Sequence, residues 1–233
     1  MTVRNVATLL ALILTVSPAL AQTKALPFEN EIIAFEKADA ANPPEKGGIV
    51  FTGSSSIRIW KSLKTDFPGL NVINRGFGGS QVSDSVRYAS RTVIPYAPRL
   101  VVFYAGTNDI ASGKSADQVF SDYKAFVLEV HAALPNTRIA YISNSPVPSR
   151  WKKWDVMKRA NSLIKDYSRD EPGLQYIDIV PLMLDANGQP RPELFQADML
   201  HMNPKGYVIW AAAVRPYLTS NGGQTAMRFL PSK

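Results

Sequence analysis

Five short apolar runs punctuate the chain: Ile49-Val50-Phe51, Leu70-Asn71-Val72-Ile73, Leu100-Val101-Val102-Phe103-Tyr104, Ile139-Ala140-Tyr141-Ile142 and Tyr176-Ile177-Asp178-Ile179-Val180. Runs this short, closed by glycine, proline or polar clusters, read as buried strands. Between them apolar residues recur every three or four positions, as on a helix with one buried face. Phe28, Ile32 and Phe35 mark a first helix, Phe28 to Ala41, which Asn42-Pro43-Pro44 ends. Ile57, Trp60, Leu63 and Phe67 are spaced for one face of a second, and Ser83 to Ile94 reads as a third. Ser115 and Gln118 form a capping box ahead of Val119, Tyr123, Val127, Val130 and Leu134. Met157, Ala160, Ile164 and Tyr167 give another helix, and Pro204 opens a last one that runs to about Leu218. Strands alternating with helices predict an α/β fold: a parallel sheet covered on both faces by right-handed crossovers. In such sheets sites form beyond the carboxyl ends of the strands.

The first residues break this pattern. Arg4, an apolar run from Val6 to Val16, Pro18 and Ala19-Leu20-Ala21 compose a secretory signal over 1–21, with cleavage before Gln22. The run is short for a membrane span of about 20 residues, so no stable membrane insertion is expected after cleavage. A single domain is expected over 22–218, its first part (22–46) an N-terminal helix and linker, followed by a loosely held tail over 219–233. Export implies a periplasmic or extracellular protein. The absence of cysteine excludes disulfides, thiol catalysis and cysteine-based metal sites, so the core alone must hold the fold. The formal charge of +7 is spread along the chain, which reads as a solvated surface and not a nucleic-acid face.

Candidate chemistry gathers at the strand ends. Gly53-Ser54-Ser55-Ser56 follows the first strand, where serines cap a helix or present a nucleophile at its start. Only two histidines are available as a base. His131 lies within a helix and reads as structural. His201 follows Asp198 by three residues in a polar loop, a spacing that lets the carboxylate orient the ring. Acyl transfer also needs donors for an oxyanion, and Gly79 (backbone) and Asn108 (side chain) are candidates, each equally readable as a turn or a local cap. Asp109 competes as the acid, with a structural role preferred. Trp151 and Trp154 flank Lys152-Lys153 and read either as a sugar-stacking pair or as anchors for the next helix. With so few histidines and no cysteine, a catalytic zinc site is not expected.

Taken together, Gly53-Ser54-Ser55-Ser56, Asn74 to Gly79, Gly106-Thr107-Asn108-Asp109 and Asp198-Met199-Leu200-His201 resemble the four blocks of the SGNH (GDSL-type) hydrolases, in that family's order. The resemblance implies a three-layer α/β/α sandwich with a five-stranded parallel sheet in flavodoxin-like order 2-1-3-4-5, and no metal or organic cofactor. It implies Ser55 as nucleophile, His201 as base and Asp198 as acid, with an oxyanion hole from the Ser55 and Gly79 N–H groups and the Asn108 side chain. One departure stands out: Ser54 occupies the place of the family's usual aspartate, which leaves Ser54 and Ser56 as rival nucleophiles. The expected function is a secreted serine esterase for short acyl esters, acetyl esters on carbohydrates first among them. A lysophospholipase or thioesterase, an acyltransferase, and a non-catalytic glycan- or lipid-binding protein are the rivals. Oligomeric state stays open.

Overall fold

The computed structural model describes residues 26–219. The signal expected over 1–21 and the tail expected beyond Thr219 lie outside the described residues. Five parallel strands, β1 (Ile49–Gly53), β2 (Val72–Gly76), β3 (Leu100–Tyr104), β4 (Arg138–Ile142) and β5 (Leu174–Ile177), lie in the order β2-β1-β3-β4-β5. The helices are α1 (Glu29–Ala41), α2 (Ser55–Arg58), α3 (Leu63–Asp66), α4 (Val82–Thr92), α5 (Thr107–Ala111), α6 (Ala116–Ala133), α7 (Trp154–Asp170), α8 (Val180–Met183) and α9 (Pro204–Val214).

The period-two alternation of the strands divides the core into two layers. Ile49, Phe51, Val102 and Ile142 face α2, α3 and α9, whereas Val50, Val101, Phe103 and Tyr141 face α4, α6 and α7. Because both faces are covered, the central strands β1 and β3 are buried at every position, which is why they read as unbroken apolar runs. β1 pairs with β3 in a register that sets Gly53 beside Tyr104, so both strands end at one level. Gly53 has φ of 120°, and a Cβ there would lie 2.0 Å from the Tyr104 carbonyl oxygen. Only glycine lets the chain turn from β1 into α2 at that point.

Three expectations shift. The apolar spacing from Ile57 to Phe67 makes two single turns, α2 and α3, not one helix. Asp66 accepts bonds from the Trp60 indole N–H at 2.6 Å and the Ser62 hydroxyl at 2.7 Å, folding the segment back between them. Ile57, Trp60, Leu63 and Phe67 are buried all the same, packed with Phe51, Tyr207 and Trp210. Strand β2 begins and ends later than its apolar residues suggest, running through Asn74-Arg75-Gly76. Arg75 stays in the strand because Asp39, Tyr96 and the ring of Phe35 receive its guanidinium. Strand β5 ends at Ile177, because Asp178 accepts from the Val180 N–H and Pro181 suits the first turn of α8.

The well-marked helices form as read. The Ser115–Gln118 capping box is reciprocal, with Gln118 N–H donating to Ser115 Oγ at 3.1 Å and Ser115 N–H to Gln118 Oε1 at 2.8 Å. Asn203 caps α9 by accepting from the N–H groups of Lys205 and Gly206, and Pro204 occupies the first helical position. His131 Nε2 lies 2.9 Å from the Thr137 carbonyl oxygen, far along α6 from the strand ends.

Candidate active site

The turn α2 starts directly after β1, so Ser55 stands at the carboxyl end of the sheet. Ser54 N–H donates to the Tyr104 carbonyl at 2.9 Å, and the Ser54 carbonyl accepts from Ile57 and Arg58. These bonds spend the backbone of Ser54 and leave the Ser55 N–H without an acceptor among the described residues. Two further bonds fix the turn from outside. Asn74 donates its side-chain amide to the Ile57 carbonyl at 2.6 Å, and the Tyr207 hydroxyl donates to the Ser56 carbonyl at 2.8 Å.

His201 reaches Ser55 from the loop before α9. Its Nε2 lies 2.9 Å from Ser55 Oγ, and its Nδ1 lies 2.6 Å from Asp198 Oδ2. The other Asp198 oxygen accepts the N–H groups of Leu200 at 3.0 Å and His201 at 2.9 Å. What desolvation Asp198 suffers raises its carboxyl, but the bonds from the His201 ring and from these two backbone groups prevail and hold it at about 2. An ionised carboxylate can only accept, so Nδ1 carries the ring proton and Nε2 is left to accept from the serine hydroxyl. The loop is braced by Ser149 N–H donating to the Met199 carbonyl and by Gln196 N–H donating to the His201 carbonyl. Met199 adopts a positive φ of 53° inside it.

The segment after β2 is tied to the end of β1, where the Gly53 carbonyl accepts from the Phe77 N–H and the Ser80 hydroxyl. A Cβ on Gly79 would sit 3.8 Å from Asn108 Nδ2, so backbone and amide are neighbours. Asn108 donates one amide hydrogen to the Ser80 carbonyl at 3.1 Å, which fixes the side chain and leaves its second hydrogen to spare. The Gly79 N–H has no acceptor among the described residues. Asn108 is on α5, a short helix that the sequence shows only as the polar end of β3.

Asp109 is elsewhere engaged. Its carboxylate accepts from the Val82 N–H at 3.1 Å and from the Lys114 ammonium at 2.9 Å, inside the core. Of the three serine hydroxyls, that of Ser55 bonds His201. Trp151 and Trp154 stack on each other at 5.5 Å, with Trp154 buried and Trp151 packed against the core under α6 and α7. The stacked pair packs at the start of α7, with Trp151 partly exposed. Among the described residues no group of three His, Asp or Glu side chains is placed to hold a metal ion, and no helix is long and apolar enough to cross a membrane.

The model of the GDSL-like lipase/acylhydrolase family matches residues 51–209, from inside β1 to inside α9. The chain belongs to this family. Within its fold, solved structures similar to the chain include a platelet activating factor protein from Streptococcus pneumoniae (18% identity, TM-score 0.73, covering 82% of this chain and 93% of that one). A GDSL-like lipase from Bacteroides thetaiotaomicron is 22% identical, with TM-score 0.68 over 80% of this chain and 96% of that one. An acetylxylan esterase from Geobacillus stearothermophilus is 15% identical, with TM-score 0.60 over 78% and 98%. Among curated proteins none matches the chain. The family is one of acylhydrolases, which points to hydrolase activity, and the five-stranded order β2-β1-β3-β4-β5 is that of these neighbours.

Sequence reading missed the contacts that hold the site in place: Asn74 and Tyr207 on the serine turn, and Glu31, which accepts the Gly78 N–H at 3.0 Å. Asn74 alone had a signal, since it opens the second of the four blocks, Asn74 to Gly79. Tyr207 and Glu31 read only as helix residues.

Proposed function

We propose that the chain is an exported serine esterase that removes short acyl groups, acetyl groups on carbohydrates first among them, through an acyl-enzyme. The unbroken hydrogen-bond chain from Ser55 Oγ to His201 Nε2 and from His201 Nδ1 to Asp198 carries this reading. Ser55 Oγ attacks the ester carbonyl carbon while its proton passes to Nε2. The carbonyl oxygen, now an anion, is met by the N–H groups of Ser55 and Gly79 and by the spare amide hydrogen of Asn108. As the tetrahedral intermediate collapses, the bond to the alcohol breaks and Nε2 returns the proton to the departing oxygen. Water then repeats the sequence on the acyl-serine, with His201 taking its proton, and releases the carboxylic acid and free Ser55. Asp198 stays ionised throughout and stabilises the imidazolium.

Acetyl specificity is supported by the likeness to the acetylxylan esterase. Export is supported by the Ala-x-Ala signal pattern over residues 1–21, and places the enzyme in the periplasm or the medium. The test is hydrolysis of p-nitrophenyl esters from acetate to palmitate, with Ser55→Ala beside the wild type. The expected result is fastest cleavage of acetate and loss of all but a residual rate, by about 10³-fold or more, in the variant. Preference for long chains would replace the acetyl reading by a lipid one. Failure to cleave any ester, with no labelling of Ser55 by a fluorophosphonate, would overturn the enzyme reading in favour of a binding protein.

A further inference from the structure

Gly79 sits between fastened neighbours. The Phe77 N–H donates to the Gly53 carbonyl at 3.0 Å, the Ser80 hydroxyl donates to the same carbonyl at 3.3 Å, and the Ser80 carbonyl accepts from Asn108. Those bonds tie the segment to β1 and α5. The Gly78 N–H points the other way, toward α1, and donates to Glu31 Oε2 at 3.0 Å. The same oxygen lies 3.8 Å from Nε of Arg58, at the end of the turn that begins with Ser55. One carboxylate thus touches the backbone next to Gly79 and the guanidinium next to the serine turn.

Packing around that contact leaves little slack. Phe28 meets Phe77 edge to face at 5.5 Å, Phe77 meets Tyr88 likewise at 5.7 Å, and the Tyr88 hydroxyl donates to the Pro27 carbonyl at 2.6 Å. Gly78 has φ of 40°, and a Cβ on it would lie 2.3 Å from the Phe28 ring. The start of α1 is seated so closely that no larger residue fits between them. Its other anchors lead away from the site: Glu29 and Glu36 bind Arg91 on α4, and Asp39 binds Arg75 and Tyr96.

We propose that Glu31 is a positioning residue for the oxyanion donors, aiming the Gly79 N–H by holding Gly78 and setting its place relative to the Ser55 turn through Arg58. The proposal rests on the esterase reading of the site. Donors stabilise an oxyanion only if they are already aimed when charge develops, and a small misplacement is costly. Because the aim matters in the transition state, the loss falls on kcat and leaves KM nearly unchanged.

The test compares wild type with Glu31→Ala, Glu31→Gln and Glu36→Ala, by steady-state kinetics on p-nitrophenyl acetate and by amide hydrogen exchange over residues 76–80. Glu31→Ala is expected to lower kcat by about 10- to 100-fold and to speed exchange in that segment. Glu31→Gln, whose amide oxygen still accepts from Gly78, should keep most of the turnover and the protection. Glu36→Ala, which loosens α1 without touching the segment, should change neither. Wild-type kcat in Glu31→Ala, or unchanged exchange over 76–80, overturns the proposal. If the wild type hydrolyses no ester, the reading of the site falls on its own, and hydrogen exchange still decides whether Glu31 holds the segment.

Discussion

Asp109 and Asp198 are both aspartates beyond strand ends, and the protein uses them in opposite ways. Asp109 is fully buried, bonded to the Val82 N–H and to Lys114, which also reaches Asp122. Asp198 has 46% of its side chain exposed, yet it is the one that grips the imidazole. Desolvation outweighs the bonds to Lys114 and Val82 and pushes the Asp109 carboxyl up, whereas bonds from His201 and the loop backbone pull Asp198 down to about 2. Burial therefore does not mark the acid of the proposed triad. What marks it is acceptor capacity spent on a ring that itself has a serine to serve, whereas Asp109 spends its capacity stapling α4 and α6 around α5.

The largest break in this contrast should come from Asp198→Asn. The amide can still sit beside His201, but its N–H₂ group lets the ring take the wrong tautomer, as in other serine triads. Turnover should fall by about 10³- to 10⁴-fold while thermal unfolding stays near that of the wild type. A variant that loses its fold, or one that keeps its rate, would contradict the division of labour between the two aspartates.

Lys114→Met should do the reverse. It leaves Asp109 buried without its cation, a loss expected to cost about 3–5 kcal/mol at neutral pH. Urea unfolding measures it, and turnover of the folded protein should fall far less than in Asp198→Asn. The pH dependence sharpens the test. A carboxyl raised in the folded state contributes stability that is full below its unfolded pKa and is lost as pH rises through the folded value. The penalty in Lys114→Met should accordingly shrink on acidification, as Asp109 takes up a proton. Asp198 has the opposite sign: its contribution is present above its ordinary pKa of 3.8 and disappears as pH falls through about 2. Equal penalties at all pH values in Lys114→Met would show that the ion pair is not what Lys114 supplies.

The smallest effect is expected at Trp151. Its ring covers Trp154 and the core beneath α7. Trp151→Ala should lower the melting temperature by several degrees, in line with a loss of roughly 1–3 kcal/mol, and leave KM unchanged for any acetylated sugar that the wild type is found to cleave. A large rise in KM with unchanged stability would restore the tryptophan pair as a sugar platform.

Much of this architecture was legible in the chain because parallel strands covered on both faces announce themselves. β1, β3 and β4 are apolar at nearly every position, and their ends deliver Ser55 and Asn108 to one edge. The edge strands were harder to place, since β2 carries Asn74 and Arg75, whose suitability for a strand depends on partners distant in sequence. The pairing of His201 with Asp198 could be read because only two histidines compete. Glu31 and Tyr207 could not be read, because a helix residue gives no sign of which backbone group beyond its own helix it will meet.

The bond between Ser55 and His201 joins residues 146 positions apart. Ser55, Gly79 and Asn108 all lie in the chain up to α5, whereas His201 arrives only with the loop before α9. The proposed base therefore joins the proposed nucleophile only when the loop before α9 is in place. On the esterase reading, the order of the chain makes the site late: it is whole only once α9 is seated against Trp60 and Ser56.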